Sequence, residues 1–115
     1  MDEQHIHQRI GQILYNSGPI DAQKIIVMAE LFAENNGGKY ELDYINRAGE
    51  IGWFDPDGRA IGELTDALLE LRKHHINNGL CPQASPWSRA TIELDLSSMK
   101  LAINMIYEHQ LGIDT

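Results

Sequence analysis

Apolar and polar residues alternate strictly along several stretches of the chain, most clearly over residues 90–96 and 40–44. Such alternation predicts β-strands whose apolar side chains face a core while the polar side chains point the other way. In both stretches most of the polar positions are carboxylates, namely Glu41, Asp43, Glu93 and Asp95. The pattern therefore predicts a sheet with one acidic face.

Helical spacing marks two other segments. Within residues 2–17 the apolar positions recur at offsets of four, seven and eight, and Gly18-Pro19 ends that helix. The turn at residues 55–58 precedes a second helix, in which Asp57 is the predicted N-cap and which fades at residues 77–79. One face of this second helix carries Ile61, Leu64, Leu68, Leu71 and His75, and Ala67 and Leu69 widen this apolar stripe.

Five segments are predicted as strands. A continuous run of apolar residues at 25–29, rich in β-branched side chains, favours a strand over about 22–34 that is buried on much of both faces. The others span about 39–47, 50–54, 89–96 and 99–107. Connections within each group are too short for crossovers, so neighbouring strands pair antiparallel. The order α-β-β-β-α-β-β predicts an α+β two-layer sandwich with about five antiparallel strands and both helices on one face. We expect residues 1–115 to form a single domain.

Charge narrows the partners that the protein can have. Seventeen Asp and Glu against nine Lys and Arg give a net charge of −8. Such a chain is repelled by phosphate backbones and anionic lipids, so we expect neither direct nucleic-acid binding nor membrane binding, and a basic protein as partner. A single cysteine, Cys81, fits a reducing compartment, and no apolar run approaches membrane-spanning length. We expect a cytoplasmic protein.

The candidate site is the acidic face together with the aromatic turn beside it. Glu30 is predicted to join the carboxylates named above, accompanied by Lys39, Thr91, Lys100 and Asn104. A solvated face that keeps the protein soluble is the simplest explanation, but like charges concentrated on a sheet oppose folding and favour a positive partner. Trp53, next to Asp55 and Asp57, is a candidate interface anchor. The alternative is a Trp53 side chain packed against the helices.

Other chemistries lack support in the sequence. Asp55-x-Asp57-Gly58 resembles the opening of a calcium loop, but no further ligands follow at the required spacing. His74 and His75 point apart on a helix and favour the helix C-terminus, and no signature flanks Cys81 as a nucleophile. We therefore expect no metal, no cofactor and no catalytic residue. A small enzyme that uses face carboxylates would need a raised carboxyl pKa in a cleft.

Several strings along the chain are similar to a known family. They are residues 6–14 (IHQRIGQIL), 24–30 (KIIVMAE) and 71–79 (LRKHHINNG), then Pro86-Trp87 and the closing hairpin with Lys100, Ile103, Tyr107 and Glu108. In these strings and in the order of its elements the chain resembles the YezG-like immunity proteins. Those proteins are antitoxins that protect bacteria from the C-terminal toxin domains of polymorphic and contact-dependent growth inhibition systems. The resemblance implies inhibition by occlusion, in which the protein binds a toxin, usually a nuclease, and blocks its active site. We expect a one-to-one complex with a cognate nuclease, in particular an RNase.

Resemblance and charge together define the expected interface. Glu30, Glu41, Asp43, Glu93 and Asp95 would meet Lys, Arg or His of the toxin. Asp55 and Asp57 would extend the acidic surface, while Trp53 and Trp87 would supply apolar anchors. The alternative function is an acidic adaptor or regulatory module that binds another basic protein or peptide, by strand addition to an open sheet edge.

Overall fold

The fold is given by a computed structural model, which describes residues 3–32, 34, 37–80 and 87–106. The predicted element order is confirmed. The elements are α1 (Glu3–Ser17), β1 (Ala22–Leu31), β2 (Gly38–Asn46), β3 (Ile51–Trp53), α2 (Gly58–Asn77), β4 (Arg89–Asp95) and β5 (Lys100–Ile106).

One five-stranded sheet has the order β3-β2-β1-β4-β5, and every neighbouring pair is antiparallel. Short turns join β1 to β2, β2 to β3 and β4 to β5, as the connection lengths predict. The chain then returns through α2 and places β4 beside β1. As a result β1, the strand with the most buried side chains, lies at the centre of the sheet.

Both helices contribute to one core on a single face of the sheet, as predicted. Alternate residues of the strands point into this core and are buried, namely Ile25, Val27, Ala29, Leu31, Leu42, Ala90, Ile92 and Leu94. The helices meet them with Ile6, Ile10, Ile13, Leu14, Leu64, Ala67, Leu68 and Leu71. The opposite face of the sheet, which we call the outer face, carries the other half of each alternating strand.

Local signals at the ends of α2 act as the sequence predicts. The Asp57 carboxylate accepts a hydrogen bond from the Ala60 backbone N–H at 2.8 Å and so caps the helix. At the other end Gly79 has a positive φ of 71°, and the Leu80 N–H donates to the His75 carbonyl at 2.8 Å. This arrangement is a Schellman motif, in which glycine adopts the left-handed conformation at low cost.

The end and the burial of β1 differ from prediction, and some predicted features lie outside the described residues. Strand β1 ends at Leu31 instead of near residue 34, because the Phe32 N–H already closes the turn by donating to the Gly37 carbonyl. This strand is buried on one face only, and Met28 on its outer side is 45% exposed. Most of the loop at 80–88, with Cys81 and Pro86, and the end of the last strand at Tyr107 lie outside the described residues.

A partly buried hydroxyl pair, Tyr40 and Thr65, joins the sheet to α2. Thr65 donates to the Ile61 carbonyl at 2.9 Å, so the Tyr40 hydroxyl is the donor in the 2.6 Å bond between Tyr40 and Thr65. Burial raises the pKa of the Tyr40 phenol, and the Asp66 carboxylate acts in the same direction. The neutral phenol is therefore the form that the fold stabilises.

We expect the free energy of unfolding to fall as pH rises above about 10, because the unfolded chain releases the Tyr40 proton while the native chain retains it. Tyr40→Phe should flatten this alkaline decline, and should cost about 0.5–1.5 kcal/mol at neutral pH for the lost hydrogen bond. Urea unfolding between neutral pH and about pH 11 measures both effects. Tyr15→Phe is the control, since Tyr15 is 55% exposed. Equal flattening in both variants would contradict the assignment.

Candidate functional site

The strand register arranges the outer face in four rows that run across the sheet. Paired residues of antiparallel strands share a face, so each row follows directly from the pairing. In the order β3, β2, β1, β4, β5, the first row is Ile51, Ile45, Lys24, Asp95, Lys100, and the second is Trp53, Asp43, Ile26, Glu93, Ala102. From β2 onward, the third is Glu41, Met28, Thr91, Asn104, and the fourth is Lys39, Glu30, Arg89, Ile106.

All five carboxylates predicted on the acidic strands share the outer face, but the face is not the uniform negative plate that the sequence predicted. Lys24 and Lys100 flank Asp95 in the first row, and Lys39 and Arg89 flank Glu30 in the fourth. Four cations therefore offset five carboxylates over the whole face. The sequence interpretation included Lys39 and Lys100 but missed Lys24 and Arg89, although both follow the same alternation.

The excess negative charge lies in the second and third rows, which we call the central rows. They contain Glu41, Asp43 and Glu93 and no lysine or arginine. In the described parts of the chain, no side-chain hydrogen bond or ion pair reaches any of these three carboxylates. They are free to accept donors from another molecule. Asp43 and Glu93 lie on either side of β1, about 10 Å apart at the usual strand spacing.

Large apolar side chains are exposed among these carboxylates. Trp53 is 74% exposed, Ile51 is 77% exposed and Met28 is 45% exposed. A shallow groove of about 470 Å³ crosses the third and fourth rows, with Met28, Glu30, Lys39, Glu41, Arg89, Thr91 and Ile106 among its lining residues. Acidic and apolar groups mixed on one open face are suited to a partner that is both basic and apolar.

Asp95 has a structural role that sets it apart from the central carboxylates. Its Oδ1 accepts hydrogen bonds from the Ser97 hydroxyl at 2.7 Å, the Ser97 N–H at 3.0 Å and the Ser98 N–H at 3.3 Å. These bonds, the hydroxyl bond first, hold the pKa of Asp95 below its usual range, and Lys24 adds to the effect. The Asp95 carboxylate thus orders the turn between β4 and β5.

Trp53 is presented to solvent because the residues beside it are fixed from the core side. The Tyr44 ring lies directly over Gly52, so close that an added Cβ atom would come within 2.8 Å of it. The Phe54 ring meets the Tyr44 ring edge-on at 6.0 Å. Tyr44 and Phe54 therefore anchor the short strand β3 inward, and Trp53 between Gly52 and Phe54 points outward. The alternative expectation, Trp53 packed on the helices, is wrong.

Asp55 and Asp57 do not belong to the four rows. They line a polar groove between α1 and α2, together with Arg9, Arg59 and Glu63. Asp57 is committed to capping α2. The structure thus separates these two predicted site residues from Trp53 and the central carboxylates.

Trp87 requires a correction, because its side chain is 1% exposed and cannot serve as a surface anchor. Its indole N–H donates to His75 Nδ1 at 3.0 Å, and the His75 Nε2 atom lies 2.6 Å from a Glu3 carboxylate oxygen. Because Nδ1 accepts the hydrogen bond of the indole, the Nε2–H of His75 is the donor to Glu3. His75 is therefore a buried link between α1, α2 and the segment before β4.

Arg72 completes this buried cluster. Its guanidinium donates to the Trp87 carbonyl at 3.2 Å and to the Phe32 carbonyl at 2.9 Å, and lies 6.0 Å from the Trp87 ring centroid. A charged group at 3% exposure is stable only with such partners. The cluster holds together the ends of β1 and α2 and the start of β4.

The described residues offer neither a metal site nor a membrane-spanning helix. Within residues 3–32, 34, 37–80 and 87–106, no group of three or more His, Cys, Asp or Glu side chains could hold a metal ion. None of the described helices combines the length and apolarity needed to cross a bilayer.

No model of a protein family matches the chain, and no curated protein is a significant match.

Proposed function

We propose that this chain is a cytoplasmic immunity protein that neutralises a nuclease toxin by docking its outer face onto the basic surface of the toxin. In this proposal the complex is one-to-one and the nuclease is an RNase, while the resemblance to immunity proteins supports inhibition by occlusion of the active site. The observation that carries the proposal is the composition of the central rows, where three carboxylates without internal partners surround exposed apolar side chains.

The proposal rests on charge complementarity. A nuclease must present positive groups to the phosphates of its substrate, and these groups are attracted to an acidic protein of net charge −8. The rows of mixed charge at both ends of the outer face favour one orientation, because a displaced partner would bring cations against Lys24, Lys39, Arg89 or Lys100. Exposed Trp53 and Met28 add apolar contact area inside the charged pattern.

Calorimetric titration tests the proposal directly. We expect the chain to bind the C-terminal domain encoded immediately upstream with nanomolar affinity and one-to-one stoichiometry, and to inhibit its nuclease activity. Affinity should be weaker at about 200 mM salt than at about 50 mM, because exposed charge pairs are screened. Absence of binding at low salt would contradict the immunity function for that pair. Affinity that does not change with salt would contradict electrostatic occlusion.

An adaptor that binds a basic peptide by strand addition is the second candidate. In the described part of the chain, β5 forms one edge of the sheet, and Lys100 is its sole charged residue. An edge strand with so little charge has unpaired backbone groups that can accept another strand. Amide hydrogen exchange separates the candidates, since strand addition protects the unpaired backbone N–H groups of β5, whereas docking on the outer face leaves their exchange unchanged.

A further inference from the structure

Trp53 and Asp43 are direct cross-strand neighbours at the edge of the outer face. The Phe54 N–H donates to the Leu42 carbonyl at 3.1 Å, and this bond flanks the Asp43 and Trp53 pair. The pair itself is therefore of the non-hydrogen-bonded kind, with Cα atoms about 4.5 Å apart and side chains close together. An indole ring and a carboxylate thus occupy one spot on the surface.

Neither group has an internal cationic partner among the described residues. Among these residues the cation–π contact to a tryptophan joins Arg72 to the buried Trp87, not to Trp53. No ion pair in the described ranges involves Asp43. The nearest cation in the rows is Lys24, which is paired across the strands with Asp95. The Trp53 ring and the Asp43 carboxylate are both available to a cation from outside.

We propose that Trp53 and Asp43 form a binding site for the guanidinium group of an arginine on the partner protein. The site deepens the proposed function, on which it rests, by naming the partner side chain that it takes. A guanidinium plane stacks on an indole face while its N–H groups bind a carboxylate in bidentate fashion. Ile51 precedes Trp53 by two residues on the same face and is 77% exposed, so it contacts the aliphatic part of the arginine side chain.

The geometry selects arginine over lysine. An ammonium group is a compact, strongly hydrated charge that neither stacks nor forms two parallel hydrogen bonds. Glu93 provides the internal comparison, because it lies in the same row and has Ala102 across from it where Asp43 has Trp53. A carboxylate without an aromatic neighbour attracts either cation. A preference for arginine over lysine should therefore be found at Asp43 and not at Glu93.

A titration of the free protein by NMR tests the site without any partner. The chain has two tryptophans and thus two indole N–H signals, of which the Trp87 signal is the buried one. Ethylguanidinium chloride should shift the Trp53 indole signal and the Asp43 amide signal saturably, and the Trp87 signal should stay in place. Ethylammonium chloride at the same concentration should shift the Trp53 and Asp43 signals several-fold less.

Three variants decide the outcome. Asp43→Asn and Trp53→Ala should each remove the preference for guanidinium, whereas Glu93→Gln should retain it. Equal shifts with both cations, shifts that do not saturate, or a preference that survives Asp43→Asn would overturn the site.

A measurement on the complex separates this inference from the proposed function. Replacing the contacting arginine of the partner by lysine should weaken binding about tenfold with the native chain, and less than about twofold with Trp53→Ala. Toxin binding that is unaffected by Trp53→Ala and Asp43→Asn would overturn the arginine site and leave the immunity function in place. If the native chain does not bind the toxin but still prefers guanidinium to ammonium, the result would contradict the immunity function and leave the arginine site in place.

Discussion

Reversal of the charges of Glu41 and Glu93 to lysine should weaken toxin binding about a thousandfold or more and abolish protection from the nuclease. Each residue is exposed and lies in the central rows, where no described lysine or arginine faces it. Loss of a carboxylate from a desolvated charge pair costs about 2–5 kcal/mol, and about 1.4 kcal/mol is a factor of ten in affinity. Calorimetric titration and a nuclease assay measure the two effects.

The fold should tolerate this double variant. Glu41 is paired with Met28 on β1, and Glu93 is paired with Ile26 and Ala102. Lysine at either position therefore meets no like charge directly across the strands, and the aliphatic part of its side chain contacts the same apolar neighbours. An unchanged urea midpoint would show that lost binding does not arise from unfolding.

A matched control separates position from total charge. Asp21→Lys with Asp66→Lys makes the same change in net charge at exposed positions away from the outer face, so both double variants carry −4 instead of −8. The control should bind within a fewfold of the native chain, since screened distant charges act mainly on the association rate. If the two double variants weaken binding equally, the outer face is not the interface. The groove that contains Asp55 and Asp57 would then be the next surface to test.

The sequence predicted the layers of the fold because its periodicities are simple. Alternation over 40–44 and 89–95 and the stripes of α1 and α2 each bury one face, so the two-layer arrangement follows from local pattern alone. The order of strands depends on where α2 returns the chain, and no local pattern encodes that. The continuous apolar run at 25–29 predicted burial on both faces of β1, but α1 and α2, the two described helices, both pack on the core face, and Met28 on the outer face is exposed.

The candidate site was predictable to the extent that it depends on alternation. Glu41, Asp43 and Glu93 share a face because each follows the period of two along its strand. The contact between Asp43 and Trp53 depends instead on the register between β2 and β3, which the turn sets. This register pairs two residues that lie ten positions apart in the sequence. The cations of the first and fourth rows became significant only once the register placed them opposite Asp95 and Glu30.

Trp87 shows the limit of reading an aromatic residue from its local sequence. It follows a segment rich in polar residues and proline and directly precedes a strand, a setting typical of an exposed loop. Its burial depends on His75 and Arg72, which lie 12 and 15 positions earlier on α2. The sequence places His75 on the apolar stripe of α2, but no local pattern indicates that Arg72 is buried beside it or that Trp87 is the partner of both.

We expect Trp87→Ala to lower the free energy of unfolding by about 3–5 kcal/mol, because it empties a site in the core. The substitution also leaves His75 Nδ1 without its donor, at 3% exposure of the histidine. Trp87→Phe keeps most of the ring volume and loses the indole N–H, so it should cost about 1–3 kcal/mol. Urea unfolding with an unchanged slope measures both values.

Trp53→Ala is the matched control, since it makes the same chemical change on the outer face, where Trp53 is 74% exposed. Its effect on stability should stay within about 0.5 kcal/mol, as for other surface substitutions away from caps and networks. Substitution of Trp87 should thus lower the stability of the fold, whereas substitution of Trp53 should lower the affinity for the partner. Equal losses of stability in Trp87→Ala and Trp53→Ala would contradict the placement of Trp87 in the core. A large loss in Trp53→Ala alone would mean that strand β3 depends on its exposed ring rather than on Tyr44 and Phe54.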